Sequence, residues 1–287
     1  MIEILLTAYN GQAYIKDQID SILSQRNQDW RLLIRDDGSQ DNTVAIIKNY
    51  TGKYPDKIRM ISDDARHLGS SMNFGRLLEY SNAEYIMFSD QDDVWLPNKI
   101  QLTLEAMKEA EQVYLDKPLL VHTDLKVVDA NLNIIADSIW IYQKLFPEIG
   151  ENLNTIMARN VVAGCAMMIN SKAKAVSTPI PKEAAMYDWW IAINVAKYGK
   201  IVPVSIASIL YRQHSDNVIG VQQMSISHLL KKLCNSKQLI SAQYRMIKKA
   251  NPHASFASLL LNKFLLKIAH PNTPKNLQLK SNKKENG

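Results

Sequence analysis

This chain has little cysteine, no long apolar run and no glycine-rich phosphate loop. Its 287 residues hold two cysteines, Cys165 and Cys234, without a Cys-x-x-Cys spacing and both in apolar surroundings. That argues against a disulfide framework or a structural zinc site and points to buried thiols of a reducing compartment. The most apolar stretch, running from Ser258 to Leu266, is broken by Lys263 and followed by Lys267, so no membrane span is expected. The opening Met1-Ile2-Glu3-Ile4-Leu5-Leu6 is acidic rather than basic and too short for a secretory leader. A cytoplasmic chain is the expectation. No G-x-G-x-x-G occurs after the first apolar run, which disfavours dinucleotide binding of the Rossmann type. No internal repeat is visible.

What is present is a globular composition, 46% apolar and 22% charged, sufficient for a buried core. The net charge of +6 is unevenly spread. From Ser225 onward twelve basic residues face Glu285 alone, a surplus of eleven that leaves the first 224 residues at −5. An acidic body with a basic tail offers two surfaces for two tasks.

Apolar runs and helical periodicities alternate. Strands are expected at Ile2–Leu6, Trp30–Arg35, Ile58–Ile61, Tyr85–Phe88, Leu119–His122, Val161–Asn170, Ile201–Val204 and Ile206–Tyr211. Helices are expected after Gly11, from Thr43 behind Asp41-Asn42, over Ser70–Tyr80, past Pro97, and over Trp189–Tyr198 before Gly199. This pattern predicts an α/β fold with a mostly parallel sheet and helices on both faces. Trp140, Tyr142 and Phe146 mark the stretch 131–151 as a cover of some kind. Residues 1–222 are expected to form the catalytic body and 223–271 a basic, amphipathic helical segment. Residues 272–287, rich in Lys and Asn, are expected to be disordered.

The chemistry concentrates at strand ends. Leu32-Leu33-Ile34-Arg35 runs into Asp36-Asp37-Gly38-Ser39, and Tyr85-Ile86-Met87-Phe88 into Ser89-Asp90-Gln91-Asp92-Asp93. Ligands of open α/β sheets bind outside the carboxyl ends of the strands. A turn followed by a helix cap would explain Gly38 and Asp41, but two adjacent acids exceed what capping needs. Three carboxylates in four residues repel one another, so a cation or hydrogen-bond donors should compensate them. Mg²⁺ or Mn²⁺ suits oxygen ligands and takes one or two from protein, with phosphates and water completing the shell. Thr7-Ala8-Tyr9-Asn10-Gly11 lies at the same sheet edge. There a carboxylate could accept a pyrimidine imide N–H while Tyr9 stacks on the base.

Residues 1–215, and most specifically Phe88-Ser89-Asp90-Gln91-Asp92-Asp93-Val94-Trp95-Leu96-Pro97-Asn98-Lys99, closely resemble the inverting glycosyltransferases of family 2, which have the GT-A fold. Within that family the chain is most similar to bacterial rhamnosyltransferases of surface-polysaccharide synthesis. The resemblance implies a nucleotide site at Thr7, Tyr9, Asn10, Asp36, Asp37 and Asp90. It implies a D-x-D element of Asp90 and Asp92, with Asp92 the metal ligand and His214 close to metal and diphosphate. In the loop His67-Leu68-Gly69-Ser70-Ser71-Met72-Asn73, His67 stands where the family usually has Asn.

Asp188 in Met186-Tyr187-Asp188-Trp189-Trp190 could simply cap a helix. The resemblance makes it the catalytic base, with Trp189 and Trp190 against the sugar. It also brings Gly164 and Arg212 to the acceptor side, although an ordinary strand glycine would explain Gly164 as well. The implied partners are a dTDP- or UDP-sugar donor and a saccharide acceptor attached to a lipid. For the basic tail, charge alone would allow nucleic acid, but no nucleic-acid module is present. A helix pair packed on the body is a second reading. Attachment to an anionic membrane surface is preferred. A non-catalytic sugar-nucleotide-binding protein is the rival class. A phosphatase is weaker, because its aspartate pair would follow the first strand.

Overall fold

The computed structural model describes residues 1–214 and 240–269. The first eighty residues alternate as the sequence demands. β1 (Ile2–Ala8), α1 (Ile15–Leu23), β2 (Trp30–Asp36), α2 (Thr43–Lys53), β3 (Ile58–Met60) and α3 (Ser70–Tyr80) are followed by β4 (Tyr85–Ser89) and the short β5 (Val94–Trp95). Next come α4 (Lys99–Val113), β6 (Leu119–Val128), β7 (Ile134–Ala136), α5 (Ile139–Tyr142), α6 (Leu153–Ala158) and β8 (Met167–Asn170). The described body closes with α7 (Ser171–Ser177), α8 (Tyr187–Tyr198) and β9 (Lys200–Arg212). Two further helices are α9, over residues 240–250, and α10 (Phe256–Ala269).

The sheet runs β3-β2-β1-β4-β8-β6-β9-β5, with β7 hanging on β6. β3, β2, β1 and β4 are mutually parallel. Beyond them the sheet is mixed: β8 is antiparallel to both β4 and β6, while β6 and β9 are parallel. The expected parallel arrangement therefore holds for the half of the sheet built from β3, β2, β1 and β4. Successive residues of β1 point to opposite faces, and both faces are covered. Leu5 joins a core with Phe74, Leu77, Ile191 and Ile193, whereas Ile4 and Leu6 join another with Ile15, Ile19, Ile22 and Met107. This is why β1 reads as an unbroken apolar run.

Two strand boundaries differ from expectation. The stretch Val161–Asn170 is not one strand: Gly164–Ala166 is a 3₁₀ turn and only Met167–Asn170 pairs. The two expected strands after Gly199 are a single thirteen-residue strand, β9, whose pairing with β6 shifts register near Asp124.

The C-terminal helices pack on this body. Met246, Ile247, Ala250 and Leu259 enter the α8-side core. Gln243 Nε2 donates to the Met157 carbonyl at 2.8 Å, and Lys197 Nζ to that of Ala250 at 2.8 Å. The expected boundary at 222/223, the first amphipathic turns and the expected tail at 272–287 fall outside the described residues. Among the described residues no helix is long and apolar enough to cross a membrane.

Candidate active site

A cleft of about 1240 Å³ opens at the carboxyl ends of β1, β2 and β4. Thr7, Tyr9, Asn10, Asp37, Asp90, Asp92, Gly164, Asp188, Trp189 and His214 all line it. Residues from six separate chain segments thus share one concavity.

At the β1 and β2 ends, two turns are laced together. Asn10 sits at φ 48°, a left-handed conformation that Asn tolerates. Its amide donates to Ser39 Oγ at 2.8 Å, and its side-chain oxygen accepts from the Gln40 amide at 2.9 Å. Gly11 N donates to Thr43 Oγ1 at 2.8 Å. Tyr9 remains 47% exposed over the cleft, edge-on to His67 at 5.9 Å between ring centres. The Asp37 carboxylate is buried and accepts from the amides of Leu68 at 3.0 Å and Gly69 at 2.9 Å, and from Arg35 at 3.2 Å. Arg35 is in turn paired with Asp63 at 2.7 Å.

Asp36, expected beside the nucleotide, does not line the cleft. Its carboxylate turns back on its own loop, accepting from the amides of Gly38 (2.9 Å) and Ser39 (2.8 Å) and from the Ser39 hydroxyl. A strand's alternation sends neighbouring side chains to opposite sides, so one aspartate of the pair holds the turn and the other faces the ligand space.

The three acids after β4 divide in the same way. Asp90 and Asp92 line the cleft, whereas Asp93 is fully buried and accepts from the Arg212 amide at 3.2 Å. Asp92 Oδ2 lies 3.0 Å from His214 Nε2, across 122 residues of sequence. The His214 ring rests on Tyr14 at 4.6 Å. Burial first, and then the neighbouring Asp92 and Asp188, push the Asp90 carboxyl up to about 7. Behind it, ligating atoms of Asp90, Asp93 and Cys165 come within 4.8 Å of one another. Lys99 Nζ is also buried there, lies over the Trp95 ring at 4.7 Å and has no hydrogen-bond partner among the described residues. Burial lowers its pKa to about 8, opposed by Cys165 and Asp93.

Asp188, which also lines the cleft, stands in the first turn of α8. Its carboxylate accepts from Gly164 N at 3.1 Å, Asn160 Nδ2 at 3.2 Å and Trp189 N at 2.5 Å. Burial nevertheless raises its pKa to about 6, and the three donors only moderate that rise. Trp189 faces the cleft with its indole N–H tied to the Ile156 carbonyl at 2.6 Å.

Two expected acceptor-side residues are elsewhere. Trp190 is buried in the core, donating to the Ser177 carbonyl at 2.7 Å, because it falls on the inward face of α8. Arg212 is buried, pairs with Asp17 at 2.9 Å and donates to the carbonyls of Asp92 and Ala130, both at 2.8 Å. It holds the backbone of the acidic turn from behind and does not line the cleft.

Sequence reading missed Gln91 and Asn160. The Gln91 side-chain amide brackets the Tyr9 peptide, accepting from its N–H at 2.9 Å and donating to its carbonyl at 3.0 Å. It thereby joins the acidic turn to the turn after β1. Gly11 leaves room for it, since a Cβ there would lie 2.2 Å from Gln91 Oε1. Nothing in sequence spacing announces either contact.

Comparison with known proteins agrees with this architecture. A family profile, Glycosyl transferase family 2, matches residues 3–175. The dTDP-rhamnosyl transferase RfbG of Shigella flexneri is 27% identical over 225 residues, spanning 75% of this chain and 73% of that protein. Among solved structures, S. aureus TarS in complex with UDP-GlcNAc superposes with a TM-score of 0.63 at 16% identity, over 91% of this chain and 70% of that one. The mannosyltransferase PcManGT from Pyrobaculum calidifontis, in complex with GDP-Man and Mn²⁺, gives 0.57 at 12% identity, over 93% and 80%. The fold is that of the GT-A glycosyltransferases, and the chain belongs to glycosyltransferase family 2.

Proposed function

We propose that this protein is an inverting, metal-dependent transferase acting on a saccharide in cell-surface polysaccharide synthesis. Its donor is dTDP-L-rhamnose first and a UDP-hexose second. Likeness to a named dTDP-rhamnosyl transferase favours the first. The observation that carries the reading is Asp188: a buried carboxylate, held by three N–H donors and lifted to about 6, lining the same cleft as Asp90 and Asp92. A base poised near neutrality accepts a proton well at cellular pH.

At the donor end, Thr7, Tyr9 and Asp37 receive the nucleotide. A carboxylate offers about four acceptor positions. Three of those on Asp37 are occupied, which leaves one for the imide N–H of a pyrimidine. Tyr9 supplies an exposed ring for stacking. At the acceptor end, Trp189 offers an apolar face to a sugar, and Asp188 removes the proton from the attacking hydroxyl. The new C–O bond forms at the anomeric carbon as the bond to the diphosphate breaks on the opposite face, and the nucleoside diphosphate leaves.

Asp92 and His214, whose Oδ2 and Nε2 lie 3.0 Å apart, are the residues that would hold a divalent cation, with Asp90 on the same cleft as a further carboxylate. Bound there, Mg²⁺ or Mn²⁺ would stabilise charge on the departing diphosphate.

The partner of the C-terminal segment is an anionic membrane surface. Phe256, Leu260, Leu261, Phe264, Leu265 and Ile268 form one outward stripe of α10, each between 43% and 60% exposed, within the region of basic surplus. Apolar side chains beside lysines suit an anionic bilayer.

A thermal-shift screen of nucleotide sugars with and without Mn²⁺ tests the donor side, because a ligand of the native state raises the melting temperature. Slow Mn²⁺-dependent donor hydrolysis, lost in Asp188→Asn, is expected of the enzyme. Binding without any hydrolysis or transfer would mark a non-catalytic binding protein instead.

A further inference from the structure

Ile139, Trp140, Leu145, Ala158 and Val161 add an apolar extension to the lining of the same cleft. One cation lines this apolar extension, the guanidinium of Arg159. Arg159 is half-buried, and among the described residues its side chain makes a single hydrogen bond, from Nη2 to the Gln143 carbonyl at 3.3 Å. No carboxylate among the described residues pairs with it. Burial alone acts on its pKa, lowering it with no acid to offset the effect. The segments outside the described residues carry only Asp216 and Glu285 as acids. The contrast with the other buried guanidinium groups is plain: Arg35 is paired with Asp37 and Asp63, and Arg212 with Asp17.

Arg159 follows the last residue of α6, and a cation near a helix C-terminus is mildly favourable. That role is served equally well by an exposed side chain. A partly desolvated guanidinium with most of its five N–H donors unused is costly unless an anion meets it. Arg159 is also the immediate neighbour of Asn160, which holds the Asp188 carboxylate. Arg159 and Asp188 also line the same cleft, so an anion that meets Arg159 shares that cavity with the hydroxyl that Asp188 would deprotonate.

We propose that Arg159 reads an oxyanion on the acceptor, so that the acceptor is a charged saccharide carrying a phosphate or a carboxylate near the attacked hydroxyl. This rests on the glycosyl-transfer reading for the placement of the acceptor. Trp140 and Leu145 would cover the apolar face of the sugar while the guanidinium takes two of the anion's oxygens, the geometry that Arg serves better than Lys.

The test is binding, which does not require turnover. Methyl glucoside, methyl glucuronide and methyl glucoside 6-phosphate are titrated by calorimetry into the full chain loaded with dTDP and Mn²⁺. The wild type should bind a charged saccharide about tenfold or more tightly than the neutral one, as a charge-assisted hydrogen bond would give. The carboxylate and phosphate arms distinguish the two sources of the anion. Arg159→Gln should abolish the preference, and Arg159→Lys should retain part of it, with dTDP affinity and melting temperature unchanged in both. Equal or absent binding of all three saccharides by the wild type overturns the proposal. So does a preference that survives Arg159→Gln, or a loss of dTDP affinity in that variant, which would assign the guanidinium to the donor diphosphate. Failure of donor hydrolysis in the wild type sinks the transferase reading separately.

Discussion

A Cβ placed on Gly164 would stand 2.0 Å from the phenol oxygen of Tyr187. The ring of Tyr187 is stacked on Phe74 at 4.1 Å and packed on Phe88 at 5.4 Å, so it has nowhere to retreat. The glycine that donates to Asp188 is thus also the glycine over which the residue before Asp188 lies. Gly164 is required by packing, independently of any ligand.

Gly164→Ala should destabilise the fold by about 1–3 kcal/mol, the usual cost of overpacking. It should also lower turnover by shifting the Asp188 carboxylate. Tyr187 Oη is buried without a hydrogen-bond partner among the described residues, so Tyr187→Phe should cost little and should partly restore Gly164→Ala. Denaturant unfolding of the four proteins in a double-mutant cycle measures the coupling. Additive effects would separate the two residues.

Asp188→Asn should reduce turnover by about 10²–10⁴ while donor affinity is retained. The wild-type rate should fall as pH drops through about 6, where the Asp188 carboxylate takes up a proton. Stability should run the other way. A carboxyl whose folded pKa exceeds its ordinary value of 3.8 stabilises the fold fully below pH 4 and loses that contribution as pH rises through 6. The melting temperature of Asp188→Asn should therefore depend less on pH between 4 and 7. Identical pH profiles of stability for the two proteins would show that this carboxyl titrates normally.

Asp92→Ala should weaken Mn²⁺-dependent dTDP binding by about tenfold or more, as loss of a charged ligand contact implies. His214→Ala should weaken it less, since it removes an imidazole nitrogen beside Asp92 and leaves the carboxylate. Calorimetry with and without Mn²⁺ reads both. An unchanged metal requirement in Asp92→Ala would move the cation elsewhere.

The outward stripe of α10 should carry the protein onto vesicles of anionic lipid and not onto neutral ones. Substituting Leu261→Asp and Phe264→Asp together should release it, while the buried Leu259 keeps the helix docked. Flotation on a density gradient is the measurement. Equal flotation of wild type and double variant would remove the stripe from any membrane role.

Several features needed no coordinates. The alternation of apolar runs and helical periodicity gave α3 at Ser70–Tyr80 and the first four strands, because burial on both faces of a sheet leaves a direct mark on local sequence. Asp188, a lone acid at a helix start, was marked only by the family resemblance, whereas Asp37, Asp90 and Asp92 were legible for a reason similar to that of the strands. Clustered charge beside an apolar strand is conspicuous in one dimension.

What sequence could not supply was direction. Asp36 and Asp37 are adjacent, yet one seals its turn and the other faces the cleft. Trp189 and Trp190 divide in the same way, as do Asp92 and Asp93. The strand expected through Gly164 is broken by a turn, since that backbone must reach Asp188 rather than extend the sheet. Gln91, Asn160 and the guanidinium of Arg159 acquire their positions from segments far away along the chain. Residue type and local periodicity determined which elements form and which chemistry is available. Only the packed fold decided which side of each backbone meets the cleft, because that choice depends on neighbours the local sequence does not contain.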